Sequence, residues 1–259
     1  MINISIKVEP ISYNFEKKIN RYVIKSVNFN KPNIANIVKK YDISNKILKS
    51  MIILHTNDKI IRNYSKIFNK RQELNNQYNN KIDILDLTKK YNTSPLTLFR
   101  IILKSRGYNK KKIKEIIKNN KYLNKYDIEQ LNKAIKNDWF AGINKEKQLK
   151  KSLEYENKIQ NFLDKYKVKY KTQDDLLANP DKNKLLTPDF LIKSKLQING
   201  DQIYWIDAKN FYGAYTISNI YNLKKQAKKY NEAFGKGVFI FSKNFSNKLK
   251  INNTLLLHI

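Results

Sequence analysis

Along residues 1–144 apolar positions recur at three- and four-residue spacing, and no alternating stretch follows the first few residues, so the pattern predicts helices throughout. Part of that pattern is repeated. Aligned without gaps, Asn33 to Ile53 matches Asp83 to Leu103, with identities at Ile34/Ile84, Lys39/Lys89, Lys40/Lys90, Tyr41/Tyr91, Ser44/Ser94, Leu48/Leu98 and Ile52/Ile102. Each copy reads as a short helix ending at Lys-Lys-Tyr, a polar break, and a second helix opened by Ser44 or Ser94. Both serines are good N-caps, and Pro95 suits a first helical turn. The spacing predicts helix-turn-helix units over about 33–54 and 83–106. In the second, Leu96, Phe99, Ile102 and Leu103 form the apolar face, which leaves Thr97, Arg100, Lys104 and Arg106 for a nucleic-acid groove or its phosphates. Further helices are expected at 111–123 and 128–136, and Asp138-Trp139-Phe140-Ala141-Gly142 reads as a packed corner.

From Lys145 the pattern changes to helix, three strands, helix, strand. The first helix runs to about Tyr166 and Val168–Thr172 alternates as a strand. The next two strands, 187–198 and 202–209, flank Asn199-Gly200, a strong hairpin signal. A helix carrying Ile220, Leu223, Ala227, Tyr230 and Phe234 on one face stops at Gly235, before the apolar strand 238–241. The expected fold is mixed: an all-α domain over 1–144 with tandem helix-turn-helix units, then an α/β domain over 145–259. The second has element order α-β-β-β-α-β and a mixed sheet flanked by helices.

Composition narrows the chemistry. The 259 residues carry 52 Lys+Arg against 22 Asp+Glu, a formal net charge of +30, yet 17 Tyr and 12 Phe within a 41% hydrophobic chain argue against a disordered polybasic tail. There is no Cys, and His55 and His258 are the only two imidazoles, so disulfides, thiolate zinc sites and cysteine nucleophiles are excluded. No apolar run approaches a membrane span, and the expected setting is intracellular: nucleus, cytoplasm or a viral replication compartment. The charge invites nucleic acid as partner. It also follows from the Lys, Asn and Ile that A/T-rich codons encode, which points to an organism or virus with an A/T-rich genome. Motifs must therefore decide.

Acids are scarce, so their clustering is informative. Between Gln173 and Ala208 there are six Asp and four Lys, a locally negative stretch in a strongly basic chain, and a bound divalent cation is the simplest physical reason. Within it, Thr187-Pro188-Asp189 opens one strand and Ile206-Asp207-Ala208-Lys209 ends the next. Single motifs mean little: D/E-x-K also occurs at Glu16/Lys18 and Glu156/Lys158, and Pro-Asp at Pro180-Asp181. The pair Asp189 and Asp207 differs by standing on apolar strands joined by a hairpin. A regular two-residue turn at Asn199-Gly200 would set Asp189 opposite Asn210, on the wrong face. A three-residue turn with Gly200 in a G1 bulge, or an equivalent bulge, is therefore expected, with Asp189 opposite Lys209 and diagonal to Asp207. On the preceding helix Glu154 and Glu156 compete for a further carboxylate role. The stripe Leu149, Leu153, Ile159 and Leu163 contains Glu156, whereas Glu154 shares its face with Lys158 and Asn161.

Five stretches together resemble a known family: Glu154-Tyr155-Glu156, Thr187-Pro188-Asp189, Trp205-Ile206-Asp207-Ala208-Lys209, Gln226-Ala227-Lys228-Lys229-Tyr230 and Phe234-Gly235-Lys236-Gly237. In order and interval they resemble the codanin-interacting nuclease family, known for its TPD motif, within the PD-(D/E)xK nuclease superfamily. The resemblance covers about Asn137 to Phe245, and such proteins also place helix-turn-helix repeats before the nuclease domain. Asp207 is a departure, since relatives usually carry Glu there. The resemblance implies that Gln226 and Tyr230 match the QxxxY element that lines DNA.

The expectation is metal-dependent phosphodiester hydrolysis of nucleic acid, DNA rather than RNA. Asp189, Asp207 and the backbone carbonyl of Ala208 would hold Mg²⁺ or Mn²⁺, Glu156 would assist, and Lys209 would orient the attacking water. Oxygen donors without His or Cys suit Mg²⁺ better than Zn²⁺. The rivals are a non-catalytic DNA-binding regulator or scaffold, and an adaptor that meets a protein partner through its helical half. No membrane partner is expected.

Overall fold

A computed structural model of the chain describes residues 1–26, 34–138, 145–178 and 186–259. The corner expected at 139–142 and the loop Pro180-Asp181 lie outside the described residues. In chain order the elements are β1 (Ile2–Ile4), α1 (Tyr13–Ser26), α2 (Ile34–Tyr41), α3 (Asn45–Asn69), α4 (Arg71–Asn79), α5 (Ile84–Tyr91), α6 (Pro95–Ser105), α7 (Lys110–Asn119) and α8 (Lys125–Asn137). They continue with α9 (Lys145–Lys165), β2 (Tyr170–Thr172), α10 (Gln173–Ala178), β3 (Phe190–Ile198), β4 (Asp201–Lys209), α11 (Ile217–Phe234), β5 (Gly237–Phe241) and β6 (Thr254–His258). The class is mixed α/β.

The chain divides into two compact units, and the division does not follow the boundary at 144 that the sequence pattern suggests. Met1–Asn20, Ile34–His55 and Lys145–Ile259 form one unit, and Arg21–Asn33 with Thr56–Asn144 the other. The two repeat copies therefore fall in different units. Non-local contacts explain the departure: β1 pairs in parallel with β3, and buried Glu16 on α1 bonds to residues that follow β4.

The all-helical unit is organised by its caps and one buried helix. Asp83 accepts from the Leu85 amide, Ser94 from Thr97, Asn109 from Lys112 and Asn124 from Asp127, so each of α5 to α8 starts on a satisfied N-terminus. Asn92 and Asn120 end α5 and α7 in the left-handed conformation that Asn tolerates. Helix α6 is buried on most of its surface, with Leu98, Phe99, Ile101, Ile102 and Leu103 packed among Leu74, Tyr78, Ile84, Leu87 and Leu131.

The other unit is built on a six-stranded mixed sheet in the order β1-β3-β4-β5-β6, with β2 pairing β3 antiparallel. Strands β3 and β4 are antiparallel, and β4-β5 and β5-β6 are parallel. Parallel β4 and β5 require a crossover, which α11 supplies. Each face of the sheet has its own core. Tyr155, Ile159 and Leu163 of α9 lie with Phe190, Ile192, Ile206, Val238 and Ile240, whereas Leu223, Ala227 and Tyr230 of α11 lie with Trp205, Phe239 and Phe241. The alternation Val238-Phe239-Ile240-Phe241 is what a strand covered on both faces requires. The stripe expected on α9 needs correction: Leu149 and Leu153 are 62% and 50% exposed, and Tyr155 takes the buried position.

Candidate functional site

The hairpin decides which residues meet. Its turn is a two-residue one, with Ile198 paired to Asp201 and both Asn199 (φ 51°) and Gly200 (φ 85°) left-handed, as a type I′ turn requires. The three-residue turn expected from sequence is thus absent. The correction comes further along: after Leu196↔Ile203 the next pairs are Leu191↔Trp205 and Phe190↔Ile206, a shift of three residues. Lys169, at the entry to β2, pins this bulge. Its carbonyl accepts from the amides of Lys193 (2.7 Å) and Ser194 (3.2 Å), and its amide donates to Ser194 Oγ at 3.1 Å. Phe190, Ile192, Leu196 and Ile198 of β3 stay in one core with Ile203 and then Ile206, so the odd shift re-phases β4. Trp205 accordingly turns to the α11 side, and Asp207 and Lys209 follow by alternation.

Asp189 lies directly before β3 and reaches that side, where its Oδ2 accepts the Ala208 amide at 2.7 Å. Lys209 Nζ is ion-paired with Asp207 Oδ1 and donates to Gln226 Oε1 at 2.8 Å. Gln226 closes the ring by donating through Nε2 to Asp207 Oδ2 (2.6 Å) and to the Tyr230 hydroxyl (3.2 Å). Tyr230 in turn donates to the carbonyl of Thr187 at 3.1 Å. The Thr187-Pro188-Asp189 segment and β4 are therefore tied through one α11 turn. Tyr230 also packs edge-to-face on Trp205, so it has both the core and the polar role.

Charge at this site is crowded. Burial raises the Asp189 carboxyl well above the usual carboxylate range, Asp207 and Glu156 push the same way, and the Ala208 amide and Lys209 oppose them. Glu156, half-buried at the middle of α9, is raised by burial, then by Asp207 and Asp174. Glu154 is exposed. The electrostatic neighbour that sequence reasoning missed is Asp174 on α10. It belongs to the acid-rich stretch, but no spacing rule connects it to Glu156. Among the described residues no three His, Asp or Glu side chains form a ready metal-holding group.

Residues expected to contact nucleic acid from the second repeat copy divide. Arg106 is engaged internally, donating to Asp127 (2.8 Å), Asn75 (3.3 Å) and Asn79 (3.1 Å). Thr97 is bonded to the Ser94 hydroxyl at 2.7 Å, and Lys104 donates to the Tyr64 hydroxyl at 2.7 Å. Arg100 is exposed. Among the described residues no helix is long and apolar enough to cross a membrane.

Residues 123–258 match the family model described as "Protein of unknown function TPD sequence-motif". An uncharacterized protein of Acanthamoeba polyphaga mimivirus is 35% identical over 113 residues, 42% of this chain and 40% of that relative's length. No solved structure matches the chain. The family match spans more than half of the sequence and includes the Thr187-Pro188-Asp189 site: the chain belongs to the TPD sequence-motif family.

Proposed function

Starting from that membership, we propose that this chain is a metal-dependent nuclease of the PD-(D/E)xK type that hydrolyses phosphodiester bonds of DNA. One observation carries the reading: a three-residue register shift brings Asp189 to Asp207, Ala208 and Lys209, although the regular turn alone would keep them apart. A hydrophobic strand end gains nothing from gathering two carboxylates, since like charges that share a buried site repel. A hard cation relieves that repulsion, and the donors are oxygens throughout, so the residues fit Mg²⁺ or Mn²⁺.

Asp189, Asp207, the Ala208 carbonyl and Glu156 are the residues that would hold the ion. When bound, it supplies a water of lowered pKa and neutralises charge that develops on the phosphate. Lys209 contributes a cation fixed between Asp207 and Gln226, placed to orient the attacking water and to stabilise the pentavalent transition state. Gln226 aligns both partners at once. Tyr230 fixes Gln226 through its hydroxyl and the TPD segment through Thr187. Within this reading the α2–α3 and α5–α6 pairs act as helix-turn-helix units that help bind substrate, with Arg100 and Lys104 the outward cations of the second.

A second reading has its own observation. Lys209 already neutralises Asp207 and no three acids form a metal-holding group among the described residues, which is what a non-catalytic DNA-binding scaffold on the same fold would present. Purified protein incubated with single-stranded, duplex and branched DNA and with RNA, in Mg²⁺, Mn²⁺ or EDTA, separates the two. Metal-dependent cleavage lost in Asp207→Ala and Lys209→Ala supports the nuclease. Binding without cleavage in every metal supports the scaffold.

A further inference from the structure

Helix α6 of the second repeat copy presents little surface to a groove. Among its residues only Arg100 and Lys104 are exposed, and α3 borders that strip at both ends. Lys59 and Asn63 of α3 donate to Asn92, just before α6, at 2.8 and 3.3 Å, and Tyr64 accepts from Lys104 in the last turn at 2.7 Å. A helix that reads a major groove has to stand clear of its neighbours. The same border offers something else. The rings of Tyr64 and Phe68, one turn apart on α3, lie within 11° of parallel with centroids 5.8 Å apart. Lys104 Nζ stands 5.5 Å from the Phe68 ring centre. A second cation meets that ring: the Arg71 guanidinium carbon is 4.6 Å from its centre, held there by Nη1 donating to the Phe68 carbonyl at 3.3 Å. Both rings pack on one side against the core of the helical unit and stay partly exposed, and Ile61, one turn earlier, is exposed.

Partly exposed rings flanked by cations match the two halves of a nucleotide, a flat base and a charged phosphate. A paired base hides its faces in the duplex stack, so only unpaired nucleotides can use such rings. We propose that Tyr64 and Phe68, with Lys104 and Arg71, form a platform for a single-stranded stretch of the nucleic-acid substrate. The rings stack successive bases and the two cations hold the adjoining phosphates. Every base has a π-face, and phosphate contacts carry no sequence information, so the platform takes any sequence. The inference rests on the nucleic-acid reading of this protein and narrows it: the substrate carries an unpaired segment, as tailed or branched DNA does.

The test is binding of two fluorescein-labelled probes, a 20-nucleotide oligo-dT and a 20-base-pair duplex of mixed sequence, followed by anisotropy in EDTA across a salt series. Tyr64→Leu/Phe68→Leu removes the rings and keeps apolar packing against the core. Lys104→Met removes a charge at an exposed position, which keeps the test open should the double variant misfold. Tyr122→Leu is the control, an exposed ring elsewhere in the unit with Lys112 Nζ 3.4 Å from its centre. The double variant is expected to weaken oligo-dT binding by about tenfold or more and duplex binding by less than about threefold. Lys104→Met should flatten the oligo-dT salt slope by about 0.7, the share of one phosphate on a single strand. Equal losses on both probes, or an equal loss in Tyr122→Leu, would overturn the platform. So would oligo-dT binding that the variants leave unchanged, including the case in which the double variant instead abolishes self-association in sedimentation and the face joins two copies of this chain. These outcomes leave the proposed nuclease standing, since binding is read without metal, whereas wild-type protein that binds neither probe would overturn both readings.

Discussion

Gly237 begins β5 in van der Waals reach of the Trp205 indole, so close that a Cβ there would overlap the ring. The ring cannot yield, because its Nε1 donates to the carbonyl of Gly235 at 3.0 Å and to Asn231 Oδ1 at 3.2 Å. Gly237→Ala should therefore destabilise the protein by about 2–3 kcal/mol in urea unfolding, the overpacking cost of a tight core. Glu16 presents the opposite kind of constraint. It is wholly buried, its Oε1 accepts the Tyr215 amide at 2.9 Å and lies 3.0 Å from His55 Nε2, and its Oε2 accepts from the Tyr212 hydroxyl at 3.3 Å. Although Glu16 and Lys18 form the same D/E-x-K pattern as Asp207 and Lys209, its partners make it a structural residue. Glu16→Ala takes the acceptor from three donors, two of them buried, and should cost about 3 kcal/mol or more. A loss below 1 kcal/mol in the same urea experiment would contradict this account of the network.

At the scale of elements, the β3 bulge is the feature on which the site depends. Deleting Ser194 leaves an even register shift in place of the odd one, which turns Asp189 away from Asp207 and Lys209. Such a variant should keep its far-UV circular dichroism and lose any Mg²⁺-dependent cleavage, whereas retained cleavage would mean that the register is not what assembles the site. The need for an odd offset was legible in the sequence, because Asp189, Asn199-Gly200 and Asp207 are separated by countable residues. Its location was not, since Lys169 holds the bulge from the segment that leads into β2 and no local pattern records that contact. Similar limits apply elsewhere. The short strands β1 and β6 owe their existence to neighbours in the sheet, and Leu149 and Leu153 continue a helical stripe beyond the part of α9 that the sheet covers. Helices α2, α5, α6 and α11 and the start of α3, with Ser44, Ser94 and Gly235 as boundaries, were legible because caps and periodicity are local, whereas α3 runs on to Asn69, beyond the unit expected to end near 54.

Across the whole molecule, a net charge of +30 sets how the protein meets a polyanion. Affinity for mixed-sequence DNA should fall about a thousandfold between 50 and 200 mM salt if six phosphates are contacted, and an affinity indifferent to salt would contradict an electrostatic interface. Charge of this kind supplies attraction, while in the proposed function the crowded carboxylates of Asp189, Asp207 and Glu156 are the reason to expect a metal. The central claim is that these residues cut what the basic surface holds. Its most direct test is the single-turnover cleavage rate of end-labelled DNA, at saturating enzyme in Mg²⁺, for wild-type protein and for Asp189→Asn and Lys209→Met. The account predicts a measurable wild-type rate abolished by EDTA and lowered at least a hundredfold in both variants, with DNA binding retained; variants that cleave at the wild-type rate would contradict it.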